Sequence, residues 1–110
     1  LTASNGGVYY INGQTISVVA GGTSSLVALN GGILDVSGGT VAVSGTQTFT
    51  QFANADALAN IIAVSATFTG TVTGVKYSSA ANAIIQTNGA GANYFPGSSA
   101  GTTSNGGLYI

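Results

Sequence analysis

Hydrophobic positions along this 110-residue chain fall in short runs, each cut off by glycine or asparagine, which is the rhythm of strands and tight turns. Val8–Ile11 is followed by Asn12-Gly13 and then by Thr15–Ala20. Two β-prone runs about an Asn-Gly step predict a hairpin. Further strands are expected at Ser24–Leu29, Ile33–Val36 and Thr40–Ser44, turned by Gly21-Gly22, Asn30-Gly31-Gly32 and Gly38-Gly39.

From Thr46 to Phe52 the side chains alternate, with Thr46, Thr48 and Thr50 on one strand face and Gln47, Phe49 and Gln51 on the other. The next stretch, Ala53–Ile62, is alanine-rich and free of glycine. Asn54 can cap a short helix near 54–62, Asp56 suits its N-terminus, and Leu58, Ile61 and Ile62 would share a face. Ala63–Thr69 and Thr71–Tyr77 then predict a strand pair hinged near Gly70. Val64, Ala66 and Phe68 lie on one face of the first member. A short apolar run at Ala83–Gln86, a turn at Asn88–Gly91 and a last strand at Leu108–Ile110 complete the pattern.

The glycine pairs also suit a β-solenoid. Their spacing weighs against one: Gly21 to Gly31 is ten positions, Gly31 to Gly38 is seven, and no later pair continues the series, whereas a solenoid repeats over at least about three coils. The expectation is therefore one all-β domain over residues 1–110, a β-sandwich or jelly-roll-like barrel with glycine-rich turns and one short helix.

Composition changes this picture in one respect. The chain has one Lys or Arg, two acids, no His and no Cys, and only 3% of its residues are charged, against about a quarter in an ordinary domain. Its 45% hydrophobic content argues for a folded core. So few surface charges give little protection against association. Much of the surface is expected to be covered by copies of the chain or by another protein. The longest apolar runs, such as Ile61–Val64, fall far short of the roughly 20 residues of a membrane span, so no membrane partner is expected.

The same scarcity of charge limits the chemistry. Asp35 and Asp56 are the only carboxylates, and a turn Asp and a helix-start Asp do not suggest a glycosidase pair. Serine and threonine abound, but the bases that activate a hydroxyl are nearly absent, leaving only a Ser–Lys arrangement with Lys76 to consider, and a solvated lysine is the simpler reading. No cluster suits zinc or iron, and two acids give calcium little affinity. Gly89-Ala90-Gly91 lacks the lysine of a phosphate loop. One cation cannot neutralise several phosphates, so nucleic acid is not an expected partner. Neither catalytic residues nor cofactors are assigned.

The most distinctive local pattern is in residues 77–110, around Asn93-Tyr94-Phe95-Pro96-Gly97, which holds the only proline. Pro96 fixes φ, Phe95 is held extended, and Gly97 permits a turn. Together with Tyr77-Ser78-Ser79-Ala80, Asn82, Thr87–Ala92, Ala100-Gly101-Thr102 and Gly106–Tyr109, this stretch resembles small virion structural proteins of tailed bacteriophages, over the last third of the chain alone. The resemblance implies a capsid decoration or cement protein on the outer surface of the virion, often a trimer, or a head or tail fibre component. Its partners would be itself and the major capsid protein or another virion protein. Tyr94, Phe95, Pro96 and Tyr109 are the candidate interface residues, because aromatics supply large contact area. A cell-surface filament subunit assembling by strand exchange and a glycan-binding fibre or adhesin module are the alternatives.

Overall fold

The computed structural model describes residues 1–110 as an all-β chain of eleven strands. These are β1 (Thr2–Ser4), β2 (Val8–Tyr10), β3 (Thr15–Val18), β4 (Leu26–Leu29), β5 (Ile33–Asp35), β6 (Thr40–Asp56), β7 (Asn60–Ile62), β8 (Thr67–Ser79), β9 (Ile84–Gln86), β10 (Thr102–Thr103) and β11 (Leu108–Tyr109). Every pairing is parallel, and each strand pairs with one from the coil before or after it. The chain is wound as a β-solenoid, in place of the expected sandwich or barrel.

One column of partners shows the winding: Val8, Ile33, Asn60, Ile84 and Leu108 stack in successive coils at intervals of 25, 27, 24 and 24 residues. One sheet has the order β11-β9-β7-β5-β2, and the other the order β1-β4-β6-β8-β10 with β3 also on β6. The long strands β6 and β8 span more than one side of the coil. Seventeen extended residues would reach about 56 Å, yet no dimension of the molecule exceeds 33 Å, so β6 must bend. The bends coincide with register shifts between Ala42 and Thr46 and between Thr48 and Gln51. Facing them, Gly70 and Gly74 take φ of +91° and +127°, and a Cβ on either would overlap the carbonyl oxygen of Val43 or Phe49. Only glycine fits there.

Two corners recur in each coil. At the first, both central residues are left-handed: Asn5-Gly6, Asn30-Gly31, Ala57-Leu58, Ala81-Asn82 and Asn105-Gly106. Their amides stack, Gly6 N–H donating to Asn30 O, Gly31 N–H to Ala57 O, Leu58 N–H to Ala81 O and Asn82 N–H to Asn105 O, at 2.9–3.1 Å. The second corner has positive φ at Gly13, Gly38, Ser65 and Gly89. Seven residues separate the corners in each of the first four coils, and that is the seven-residue glycine interval visible in the sequence. The expected glycine series breaks because the third and fourth coils form the first corner from Ala57-Leu58 and Ala81-Asn82.

Three local expectations fall with the sandwich. No helix occupies 54–62: Asn54–Asp56 ends β6, Ala57-Leu58 is a corner, and Asn60–Ile62 is β7. Ile61 is buried while Leu58 is 72% exposed, so they do not share an apolar face. Asn12-Gly13 turns a corner and not a hairpin, since β2 pairs with β5 and β3 with β6. Of the strand pair expected about Gly70, Ala63–Ala66 is the second corner of the third coil, and Thr67–Thr69 and Thr71–Tyr77 belong to one strand, β8, pairing with β6 and not with itself.

One apolar core runs through the coils. Leu34, Ile61 and Ile85 form a fully buried column from β5, β7 and β9. Opposite them stands an aromatic chain: Phe49 and Phe52 meet edge-on at 5.8 Å, Phe52 meets Phe68 at 5.8 Å, and Phe68 meets Phe95 at 5.1 Å. Such contacts add about 0.5–1.5 kcal/mol each beyond burial.

Candidate interaction surface

The four residues singled out in the C-terminal third have different fates. After β9 the fourth coil has a loop where the earlier coils have strand, and it rejoins the sheet at the Val75–Ser99 bridge. Gly74 anchors this loop. Its carbonyl accepts from Ser98 N–H and Ser99 N–H at 2.9 and 3.0 Å, and its own N–H donates to Ser98 Oγ at 2.9 Å.

Phe95, at the loop's centre, is 0% exposed. It lies among Phe52, Phe68, Tyr77, Tyr94 and Tyr109, with ring centroids 5.1–6.3 Å away. Within the chain it is a core residue that closes the interior where β-structure is missing. Tyr94 is half-buried beside it, and its hydroxyl lies 2.6 Å from Ala63 O and 2.7 Å from Ala66 O, both at the second corner of the preceding coil. Burial pushes the Tyr94 phenol pKa up, the bond to Ala66 partly offsetting it. Tyr109 stacks on Tyr77 at 3.8 Å and 8°, and its hydroxyl donates to Gly91 O at 2.8 Å. Burial raises its pKa as well, opposed by the Thr87 hydroxyl and reinforced by Tyr77 and Tyr94. Pro96 is half-buried in the same loop.

Both carboxylates serve turns. Asp35 accepts from Ser37 N–H at 2.9 Å and from Asn12 Nδ2 at 3.0 Å, tying the second corners of two adjacent coils together. Burial pushes the Asp35 carboxyl up, but the bonds from Ser37 and Asn12 outweigh it, so its pKa lies below the ordinary value. Asp56 accepts from Ala57 N–H at 2.9 Å at a first corner. No three His, Cys, Asp or Glu side chains come together as a metal site. No helix is long and apolar enough to cross a membrane.

The exposed apolar surface lies elsewhere. Val8, Tyr9, Tyr10 and Val19 are exposed on the first coil, and Leu108 and Ile110 on the last, with Leu58 alone between them. An open cavity of about 420 Å³ enters the first coil, lined by Leu1, Ile16, Val18, Gly22 and Ser25, with Phe49 of the second coil also in its wall. No protein-family model matches the chain, and neither the curated proteins nor the solved structures contain a match to it.

Proposed function

We propose that the chain is a non-enzymatic structural subunit of a virion surface, a rigid element that bridges neighbouring proteins of the particle. The observation that carries this reading is the way the fold is held. Its 67 backbone hydrogen bonds and continuous apolar core involve almost no charge, so its cohesion is nearly independent of ionic strength. Both carboxylates are engaged in holding corners. Such a chain suits a durable assembly. Its partners are further copies of itself and the shell or another virion protein, and binding the assembled lattice alone stabilises that lattice by mass action.

Particles with and without the protein, compared by heat-release of their contents and by electron microscopy, test the reading. A lower release temperature or missing surface projections without the protein supports it. Identical particles by both measures overturn it.

A further inference from the structure

We propose that the threonine wall formed by β6 and β8 binds the surface of crystalline ice. This goes beyond the structural reading above and does not depend on it: the ligand is ordered water, and the site is the side of the solenoid.

The wall starts from a pattern visible in the sequence. Thr46, Thr48 and Thr50 alternate along β6, and Thr67, Thr69, Thr71 and Thr73 alternate along β8. All seven are exposed, while Phe49 and Val72 between them are buried. Both β6 and β8 are inner strands of their sheet, so these side chains project sideways from the coils.

Parallel pairing sets the threonines in register. Thr46 lies beside Thr71 and Thr48 beside Thr73, a block two coils deep and two side chains wide. Across the register shift at Ala42, Thr15, Thr40 and Thr67 stack in three successive coils, with Thr69 next to Thr67 on the same face. Strand propensity favours threonine on any exposed strand, yet the other outward columns are mixed. Val8, Ile33, Asn60, Ile84 and Leu108 form one, and Thr2, Val27, Asn54 and Ser78 form another. Unbroken threonine columns occur only on this wall.

The chemistry follows from that geometry. The threonines repeat about every 4.8 Å from coil to coil and about every 6.6 Å along a strand, the scale on which water oxygens repeat on the faces of hexagonal ice. A β-branched side chain is stiff at χ1, so each holds a hydroxyl and a methyl in nearly fixed places. None of the seven hydroxyls bonds to another group of the chain. They are free to take positions in a water lattice, and the methyls fit the gaps between its molecules. Many weak contacts then add, because the array is ordered before it binds.

Other ligands fit the wall poorly. Asp35, Asp56 and Lys76 all lie outside Thr40–Thr50 and Thr67–Thr73, so phosphates and charged headgroups find no partner there. Ionic side chains would also impose hydration shells that break an ice lattice. A flat polysaccharide would need aromatic rings to stack on, and Phe49 and Phe68 on the same strands pack into the core.

A single ice crystal held just below its melting point in a solution of the purified chain tests the proposal. The chain should hold the crystal at a freezing point below its melting point, shape it into facets, and stop small ice grains from coarsening. Thr48→Lys should remove most of this effect. Thr48→Ser and Thr48→Val, which keep the hydroxyl or the methyl alone, should each weaken it. Ser78→Lys places the same charge on another outward face and should leave it unchanged. Exposed substitutions of this kind cost little stability, and a urea midpoint equal to that of wild type shows that each variant is folded. If Thr48→Lys is not, Thr73→Lys puts the charge on the neighbouring coil. A folded wild-type chain that leaves ice growth and coarsening at the level of buffer overturns the proposal. So does an effect that Thr48→Lys leaves intact, or that Ser78→Lys removes as fully, since ice would then be held by another surface. The measurement uses the isolated chain and ice, so its failure is distinct from a failure of the particle-stability test.

Discussion

The hydroxyl of Tyr94 lies 2.6 Å from the carbonyl oxygen of Ala63, a residue 31 positions earlier in the chain. This contact fastens the irregular loop of the fourth coil to a corner of the third. Tyr94→Phe keeps the ring and removes the bond, and should cost about 1 kcal/mol in urea unfolding. It should also change the alkaline limb. The raised Tyr94 pKa means that the folded chain resists ionisation, so stability is intact below the ordinary value of 10.0 and is lost as pH rises through the folded value. The variant should lose less stability than the wild type over that window. Parallel pH curves for the two proteins would rule out this coupling.

Phe95 tests whether the loop belongs to the fold. The ring is fully buried among five aromatics, so Phe95→Ala should destabilise the isolated chain by about 3–5 kcal/mol. A residue acting only at an interface, as Phe95 was expected to from the sequence, would lose docking before folding. Equilibrium unfolding of the monomer decides it, and a loss under about 1 kcal/mol would return Phe95 to the surface.

The corner at Ala57-Leu58 holds two non-glycine residues at φ of 53° and 62°. Equivalent corners in three other coils are Asn-Gly. Replacing the pair by Ala57→Asn with Leu58→Gly should relieve strain and stabilise the chain by roughly 1 kcal/mol, shown as a higher urea midpoint with unchanged slope. Leu58 is largely exposed, so little packing is lost.

Asp35 gives a pH dependence of opposite sign. Its folded pKa lies below the ordinary 3.8, so the folded chain binds fewer protons than the unfolded chain in that window. The stabilisation is present above the unfolded value and is lost as pH falls through the folded one. Asp35→Asn should be less stable than wild type at neutral pH and should lose less on acidification. Urea midpoints measured from neutral to acid pH check both.

Much of the strand pattern was legible in the sequence, and its connection was not. Leu26–Leu29, Ile33–Asp35 and Leu108–Tyr109 sit where short apolar runs bounded by glycine and asparagine place them, because such runs suit extended backbone whatever it pairs with. Asn12-Gly13 supplies positive φ equally well to a hairpin and to a solenoid corner, so only the pairing partner, Ile33 or Thr15, separates them, and that contact is non-local. The helix expected at 54–62 came from alanine propensity and from spacing. It lost to tertiary pairing with Leu26–Leu29 and Ile33–Asp35, which left Ala57 and Leu58 in left-handed geometry.

The candidate surface was less legible still. Tyr94, Phe95 and Tyr109 were found as aromatics, but their direction depends on how the fourth coil folds back onto Phe68 and Tyr77. A signal of the winding was present in plain sequence, in the repeated Ser-Asn-Gly-Gly-Val/Leu-Tyr motif at residues 4–9 and 104–109. Recognising it required comparison across the whole chain, not between neighbouring glycine pairs.

The parallel winding itself is tested most directly by interstrand nuclear Overhauser effects on the isotopically labelled chain in solution. Amide-to-Hα contacts should run in register along the column Val8, Ile33, Asn60, Ile84 and Leu108. Close Hα–Hα contacts between Val8–Tyr10 and Thr15–Val18, the mark of an antiparallel hairpin about Asn12-Gly13, would contradict the solenoid.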